Sequence, residues 1–317
     1  RPRRIALPQC QPNMTVGNVT LTVRRLPEPR AAFALLKPVT WFPPMWAFSC
    51  GVVSAGRLEA RWDALALGIC LTGPLVCGAS QVVNDWFDRH VDAINEPDRP
   101  IPSGRVPGTW GFWLAVLWSA LAFGAGSLLG PTGMVATGIA LALAWAYSAP
   151  PLRFKQNGWI GNLAVGISYE SLAWITGAAV ALGGDRPDAR ILTLAILYGV
   201  GAHGIMTLND FKAVEGDRQM GVRSLPVQLG EQRAAQVACA VMLVPQLAVL
   251  GPLTAWGAWW ALAGVATLVV VQLVLMRRFL AEVTARSAFL YSGFGVPFYV
   301  LGMMIAASGL RALGSGQ

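Results

Sequence analysis

Two clusters of carboxylates, each introduced by the pair Asn-Asp, are the residues best suited to chemistry. The first reads N-D-W-F-D-R-H-V-D over 84–92, and the second reads N-D-F-K-A-V-E-G-D-R over 209–218. Mg²⁺ prefers oxygen ligands and commonly bridges one or two carboxylates to substrate phosphates. The repeated pattern therefore predicts two facing sites that hold metal ions around a diphosphate.

The spacing within the first cluster supports this prediction. Asn84, Asp88 and Asp92 recur every fourth residue and share one face if the preceding helix continues through them, with Asp85 on the same stripe. Neighbouring carboxylates repel one another and resist ionising together, so such a stripe is costly without cations. A solvated helix end with incidental acids is the alternative, and the second cluster argues against it.

Basic residues accompany both clusters and could contact a diphosphate directly. The segment Y-S-A-P-P-L-R-F-K, stiffened by two prolines, supplies Arg153 and Lys155. Positive-inside membrane anchoring is the alternative role for each base. Further candidates around the two acidic clusters are Arg99, Ser103, Arg105, Arg218 and Arg223.

The composition requires a membrane setting for these motifs. Hydrophobic residues make up 55% of the 317 residues and charged residues only 13%, about half the usual share in soluble domains. This excludes a soluble enzyme or a nucleic-acid-binding module as the whole answer. We expect an all-α polytopic protein with a tail at 1–38 and a membrane domain at 39–310, its nine helices spanning approximately 39–56, 64–84, 110–129, 131–149, 159–182, 190–209, 234–250, 252–276 and 288–310.

The net charge of +8 is explained by membrane orientation rather than by nucleic acid. With nine spans, 19 of the 24 Lys and Arg residues fall on the side of the N-terminal tail and five fall on the other. This predicts a cytoplasmic N-terminus, with both acidic clusters at the cytoplasmic face.

The longer strings N-D-W-F-D-R-H-V-D-A-I-N-E-P-D-R-P-I-P-S-G-R and N-D-F-K-A-V-E-G-D-R-Q-M-G-V-R-S-L-P-V are very specific. They resemble the intramembrane prenyltransferases of the UbiA superfamily, in particular its chlorophyll and bacteriochlorophyll synthase branch. The lead-in A-H-G-I-M-T-L-N-D favours the bacterial members, and hence a bacterial cytoplasmic or intracytoplasmic membrane. The resemblance implies a nine-helix bundle with a central cavity that opens to the cytoplasmic face and to lipid. It also implies Mg²⁺-assisted transfer of an allylic isoprenoid from its diphosphate to the propionate of (bacterio)chlorophyllide.

The resemblance also assigns roles by position. It implies metal ligation by Asn84, Asp85, Asp88, Asp92, Asn209, Asp210, Glu215 and Asp217, with Asp88, Asp92, Asp210, Asp217 and Lys155 central to catalysis. One departure concerns the second motif, where many relatives carry an Asp and this chain has Ala213. The ligands of the second metal are therefore open.

Three further residues are candidates for substrate binding. Trp86 is expected to line the pocket through its place in the motif. His203 is suited either to ligating the tetrapyrrole magnesium or to an interhelical contact. Glu170 is a costly acid inside a membrane helix and so a site candidate without an assigned role.

Two other functions remain open at this point. A related prenyltransferase acting on a quinone precursor or on haem would keep both acidic motifs, but the E-P-D-R-P-I-P-S-G and E-G-D-R strings argue against it. A transporter would thread ionisable residues through its helices, whereas Glu170 and His203 are nearly alone there. The choice between geranylgeranyl and phytyl donors, and between the two pigment acceptors, is also open.

Overall fold

The computed structural model describes residues 26–56 and 62–314, and this part of the chain is helical. Its only bridge of β type joins Asn157 and Arg223. Most of the predicted tail, including five of its seven basic residues, and the loop carrying Arg57 and Arg61 lie outside the described residues.

Thirteen helices follow one another along the described chain. Short helices are α1 (Pro29–Ala34), α8 (Val214–Gln219) and α9 (Leu225–Leu229). The longer ones are α2 (Phe42–Ser54), α3 (Trp62–Asn95), α4 (Trp110–Leu128), α5 (Gly130–Ser148), α6 (Gly158–Ala181), α7 (Ala189–Asp210), α10 (Glu231–Ala255), α11 (Trp259–Ala281), α12 (Ala285–Phe294) and α13 (Val296–Gly314).

Seven stretches within the described residues are long and apolar enough to cross a membrane, which makes this a multi-pass membrane protein. They are α3, α4, α6, α7, α10, α11 and the α12–α13 pair. Each of the nine predicted spans overlaps a helix, but α2 has only 13 residues and α5 is rich in Gly and Thr, so neither belongs to this set. The count of nine spans therefore stays a prediction.

One predicted boundary is wrong. We expected a helix to end at residue 250 and the next to begin at 252, but α10 continues to Ala255 and contains both Pro245 and Pro252. Membrane helices tolerate proline because neighbouring groups satisfy the backbone atoms that it frees. The turn lies instead between Trp256 and Ala258.

Two helices contain a wider π-helical stretch, at Leu71–Cys77 in α3 and at Ile167–Leu172 in α6. The first includes Pro74, which has no N–H to donate. Such stretches are frequent at functional sites because they change which side chains face a neighbouring helix. The two meet where the Cys77 thiol lies 3.2 Å from the Tyr169 hydroxyl.

The segment before α2 packs on the bundle. Ala31 of α1 and the following Leu35 and Leu36 are buried against a cluster that includes Val82 and Val106. This contact holds Lys37 beside α3, where its ammonium lies 2.7 Å from Asp85.

Glycines allow α2 and α6 to pack in very close contact. A Cβ at Gly51 would overlap the backbone of Trp174, and a Cβ at Gly177 would overlap the carbonyl group of Phe48. Small residues serve this role in membrane bundles, where helices associate through close van der Waals packing.

We therefore expect Gly177→Ala to lower the free energy of unfolding by about 1–3 kcal/mol, the usual cost of overpacking. Thermal denaturation in detergent measures the effect. Gly124→Ala is the matched control, because Gly124 lies inside α4 with no atom within 4 Å of an added Cβ. Equal melting temperatures for the two variants would contradict the tight contact.

Candidate active site

A cavity of about 400 Å³ lies among α2, α3, α5, α6 and α7. Asn84 and Asn209, the first residues of the two acidic motifs, both line it, together with Tyr147 of α5. Tyr147 is within electrostatic range of Asp88, Asp210 and Asp217. Both motifs therefore meet at one end of a single cavity.

In the first motif, α3 continues as a helix through Asn95, as the spacing required. Asp88 faces the basic loop after α5: its Oδ1 lies 2.5 Å from Lys155 Nζ and 3.8 Å from Arg153 Nη2. Asn84 donates a hydrogen bond to Ser148 Oγ at 3.3 Å, at the end of α5. The structure thus brings together Asn84, Asp88, Arg153 and Lys155.

The basic loop is held rigidly against the chain that follows the second motif. The Gly158 amide donates to the Arg223 carbonyl and the Arg223 amide donates to the Gln156 carbonyl, both at 2.9 Å. Arg153 has a left-handed backbone, with φ of 36°, which is uncommon for a residue other than glycine. Arg223 therefore contributes through its backbone to positioning Lys155.

Lys155 is half-buried beside Asp88. Burial lowers the pKa of its ammonium, because desolvation disfavours the charged form, and Asp88 opposes this shift. A cation in such surroundings interacts with an anionic ligand more strongly than one in water.

Asp85 and Asp92 form a separate network with cations outside the motif. Arg99 Nη1 lies 3.4 Å from Asp85 and 3.0 Å from Asp92, and Arg99 also pairs with Glu96 at 2.6 Å. Lys37 contacts the same Asp85 oxygen at 2.7 Å. In the sequence, Lys37 is only one of the 19 basic residues counted on the side of the N-terminal tail, because no local pattern links residues 48 positions apart.

In the second motif, Asp210 ends α7 and accepts a hydrogen bond at 3.0 Å from the amide of Asn162 in α6. Asn162 is buried and also lies 3.3 Å from Thr207. Sequence reasoning missed it, although an Asn inside an apolar helix is itself a signal. Asn209 is exposed, with its amide 3.9 Å from Met206 Sδ.

The remaining acids of the second motif lie on α8. Burial raises the pKa of the Asp217 carboxyl. Glu215 is exposed, where it pairs with Arg218 at 2.8 Å and accepts from Gln219. Glu215 and Arg218 therefore form an ion pair with each other on α8.

Ser103 and Arg105 bond within their own exposed loop. The Ser103 hydroxyl donates to the Arg99 carbonyl at 2.7 Å and accepts from Arg105 Nε at 3.0 Å. Arg105 also donates to the carbonyl of Asp98.

Of the three residues proposed for the pocket, only Glu170 lines the cavity. Trp86 does not line the cavity. Its ring packs on Phe112, and the guanidinium of Arg89 stacks on its face, 3.9 Å from the ring centroid. His203 is buried against the Trp159 ring at 5.7 Å, and its Nδ1 has no hydrogen-bond partner among the described residues.

Among the described residues, no three His, Cys, Asp or Glu side chains converge closely enough to hold a metal ion by themselves. The donor chemistry nevertheless fits magnesium, because the acidic end of the cavity presents carboxylate and amide oxygens, the ligands that this ion prefers. Lys155 and Arg153 compensate the charge of Asp88 in this structure.

Comparisons with known proteins identify relatives of this chain. The chain is 52% identical to "Bacteriochlorophyll synthase 33 kDa chain" of Cereibacter sphaeroides over 93% of this chain and 98% of that protein. It is 40% identical to "Chlorophyll synthase, chloroplastic" of Arabidopsis thaliana over 86% of this chain and 72% of that protein.

The fold matches a solved structure of a UbiA homologue from Archaeoglobus fulgidus bound to DMAPP and Mg²⁺. The TM-score is 0.66 at 18% identity, with 90% of this chain and all of that chain covered. The model of the UbiA prenyltransferase family matches residues 42–296, most of the chain. The chain therefore belongs to the UbiA prenyltransferase family.

Proposed function

We propose that this protein esterifies the propionate of bacteriochlorophyllide a with a geranylgeranyl or phytyl group from the corresponding diphosphate, late in bacteriochlorophyll biosynthesis. The observation that carries the proposal is the single cavity lined by the first residue of both acidic motifs, with Lys155 and Arg153 on Asp88 beside it. The relatives named for bacteriochlorophyll and chlorophyll synthesis support the choice of acceptor.

The metal ligands in this proposal come from both motifs. Asn84, Asp88 and Asp92 would hold one Mg²⁺, and Asn209, Asp210 and Asp217 would hold a second, with Asp85 and Glu215 as further candidates. When bound, Mg²⁺ neutralises charge on the diphosphate and so stabilises it as a leaving group.

Residues of the chain account for the rest of the chemistry. Lys155 and Arg153, which pair with Asp88 in this structure, would bind the diphosphate oxygens, with Arg99, Ser103, Arg105 and Arg218 as further contacts. The apolar cavity wall excludes water from the allylic carbon, where positive charge develops as its C–O bond breaks. A propionate of ordinary pKa, about 4 to 5, is already ionised at neutral pH and attacks that carbon without a general base.

The proposed topology has nine membrane-spanning helices, with the N-terminus and the acidic end of the cavity on the cytoplasmic side of a bacterial inner membrane. The many basic residues on that side support this orientation. Labelling of single cysteines at positions 37 and 130 with an impermeant maleimide distinguishes the two faces.

The direct test uses the purified protein with Mg²⁺, geranylgeranyl diphosphate and bacteriochlorophyllide a. We expect esterified pigment, which partitions into hexane, together with one diphosphate per ester. Chlorophyllide, haem and a quinone precursor serve as parallel acceptors, and phytyl diphosphate as a parallel donor. Prenylation of haem or the quinone precursor, without esterification of either pigment, would contradict the proposed acceptor.

Removal of divalent metal is expected to abolish this reaction reversibly. Treatment with EDTA should lower the initial rate to background, and added Mg²⁺ should restore it, because the acidic motifs lose the cation that neutralises the diphosphate. The same rate with and without the chelator would contradict the metal-dependent site.

A further inference from the structure

One polar group deep in the cavity is left without a partner. Glu170 lies in the π-helical stretch of α6, lines the cavity and is only 6% exposed. Its carboxyl makes no hydrogen bond or ion pair with any residue that the structure describes, and its Oε2 is buried. Buried polar atoms are nearly always hydrogen-bonded, so an unpaired one inside a cavity points to a ligand.

Glu170 lies far from the acidic motifs. Helix α6 begins at Gly158, just after Lys155, and the 12 residues from there to Glu170 correspond to roughly 18 Å along a helix axis. Its neighbours on other helices include Cys50 of α2 and Tyr299 of α13. The carboxyl is therefore at the deep end of the cavity, where the bases of the diphosphate site do not reach it.

The two residues on either side of Glu170, Tyr169 and Ser171, already have hydrogen-bond partners. The Tyr169 hydroxyl lies 2.8 Å from Ser80 Oγ and accepts a hydrogen bond from Gln81 at 3.2 Å. Ser171 donates to the Ala195 carbonyl at 2.9 Å. Glu170 alone in this stretch of α6 presents an unpaired carboxyl to the cavity.

The chemistry of the two substrates indicates which one Glu170 meets. The polar end of the prenyl diphosphate is its diphosphate group, which binds at the acidic end of the cavity. Its prenyl tail has no hydrogen-bonding atom. A carboxylate without a cation is very costly in an apolar site, whereas a neutral carboxylic acid is an O–H donor. The bacteriochlorophyllide macrocycle carries matching acceptors, namely an acetyl carbonyl, a ring ketone and a methyl ester.

We propose that Glu170 is an acceptor-binding residue whose carboxylic acid donates a hydrogen bond to one carbonyl on the periphery of the tetrapyrrole. This inference rests on the proposed function, because it requires a carbonyl-bearing macrocycle as acceptor. The contact orients the macrocycle in the cavity while the propionate reaches towards the diphosphate end.

The test compares Glu170→Ala, Glu170→Gln and the matched control Ser171→Ala in steady-state kinetics with both substrates. Glu170→Ala should raise KM for bacteriochlorophyllide about three- to tenfold, the range for loss of one neutral hydrogen bond. KM for geranylgeranyl diphosphate and kcat at saturating acceptor should stay within about twofold. Glu170→Gln keeps a donor and should stay near wild type, as should Ser171→Ala.

A panel of three acceptors, each lacking one of the three carbonyl groups, identifies the bonded atom. The acceptor without that carbonyl should have a raised KM with the wild-type protein and no further increase with Glu170→Ala, as in a double-mutant cycle. Equal responses of all three acceptors would overturn the proposal. A Gln variant as impaired as the Ala variant would also overturn it, since a donor would then not suffice.

These outcomes are separate from failure of the proposed function. If the wild-type protein esterifies no pigment, the proposed function fails. If the wild-type protein esterifies bacteriochlorophyllide while the Glu170 variants keep the wild-type acceptor KM, only the role of Glu170 fails. Melting temperatures in detergent show whether Glu170→Ala remains folded, and Glu170→Gln provides the test with unchanged side-chain volume.

Discussion

Asp88→Ala is expected to lower kcat/KM for prenyl transfer by at least about 10²- to 10³-fold, the effect of removing one preorganised electrostatic contact from an active site. Asp88 is the acid that contacts both bases of the loop after α5, with Lys155 Nζ at 2.5 Å and Arg153 Nη2 at 3.8 Å. Its loss removes a proposed metal ligand and leaves the two cations without the carboxylate that positions them. Initial rates of esterified pigment formation at varied donor and Mg²⁺ measure the effect.

Asp98→Asn is the matched control for this variant. Asp98 is an exposed acid in the loop after α3, and Arg105 contacts its backbone carbonyl rather than its carboxylate. Its replacement should leave kcat/KM within about twofold, as is usual for substitutions away from buried or functional contacts. An Asp88→Ala variant that keeps half of the wild-type activity would show that Asp88 is not a required metal ligand.

Lys155→Met is expected to lower kcat/KM by about 10²-fold, mainly through a higher KM for the prenyl diphosphate. Charge-assisted hydrogen bonds to phosphate are about twice as strong as neutral ones, and the half-buried position of Lys155 reduces screening by water. Methionine keeps much of the apolar volume and removes the charge. Varying the donor and the acceptor separately shows which KM changes.

Arg233→Gln serves as the control for a lost positive charge near the proposed cytoplasmic face, because Arg233 is exposed in the first turn of α10. It should have wild-type KM values for both substrates. Lys155→Arg should recover part of the activity, since it keeps the charge but places it on a longer, planar group. A Lys155→Met variant with a normal donor KM would show that Lys155 only stabilises Asp88.

Local sequence information was sufficient for the class of protein and for the helices that carry the two acidic motifs. Hydropathy depends on composition within a single helix, so runs of apolar residues predicted where α3, α4, α6 and α7 lie. The four-residue spacing from Asn84 to Asp92 likewise requires only that α3 continue, which it does to Asn95. Local rules were less reliable for boundaries, as Pro252 inside α10 shows.

The tertiary structure decided which partner each side chain meets. Asp85 follows Asn84 directly, yet it pairs with Lys37 and Arg99, while Asp88 meets Lys155 from a distant loop. The motif string suggested a pocket residue at Trp86, but the rotation of α3 turns its ring towards Phe112.

The sequence alone thus determined a helical membrane protein with two acidic motifs, because hydropathy and helical spacing act over a few residues, and its motif strings carried the resemblance to prenyltransferases. Only the packing of α3, α5, α6 and α7 decided that Asn84 and Asn209 share one cavity, that Asn162 holds Asp210 and that Glu170 is left unpaired at its deep end. These features depend on helix rotation and on contacts between residues far apart in the chain, which no local pattern specifies.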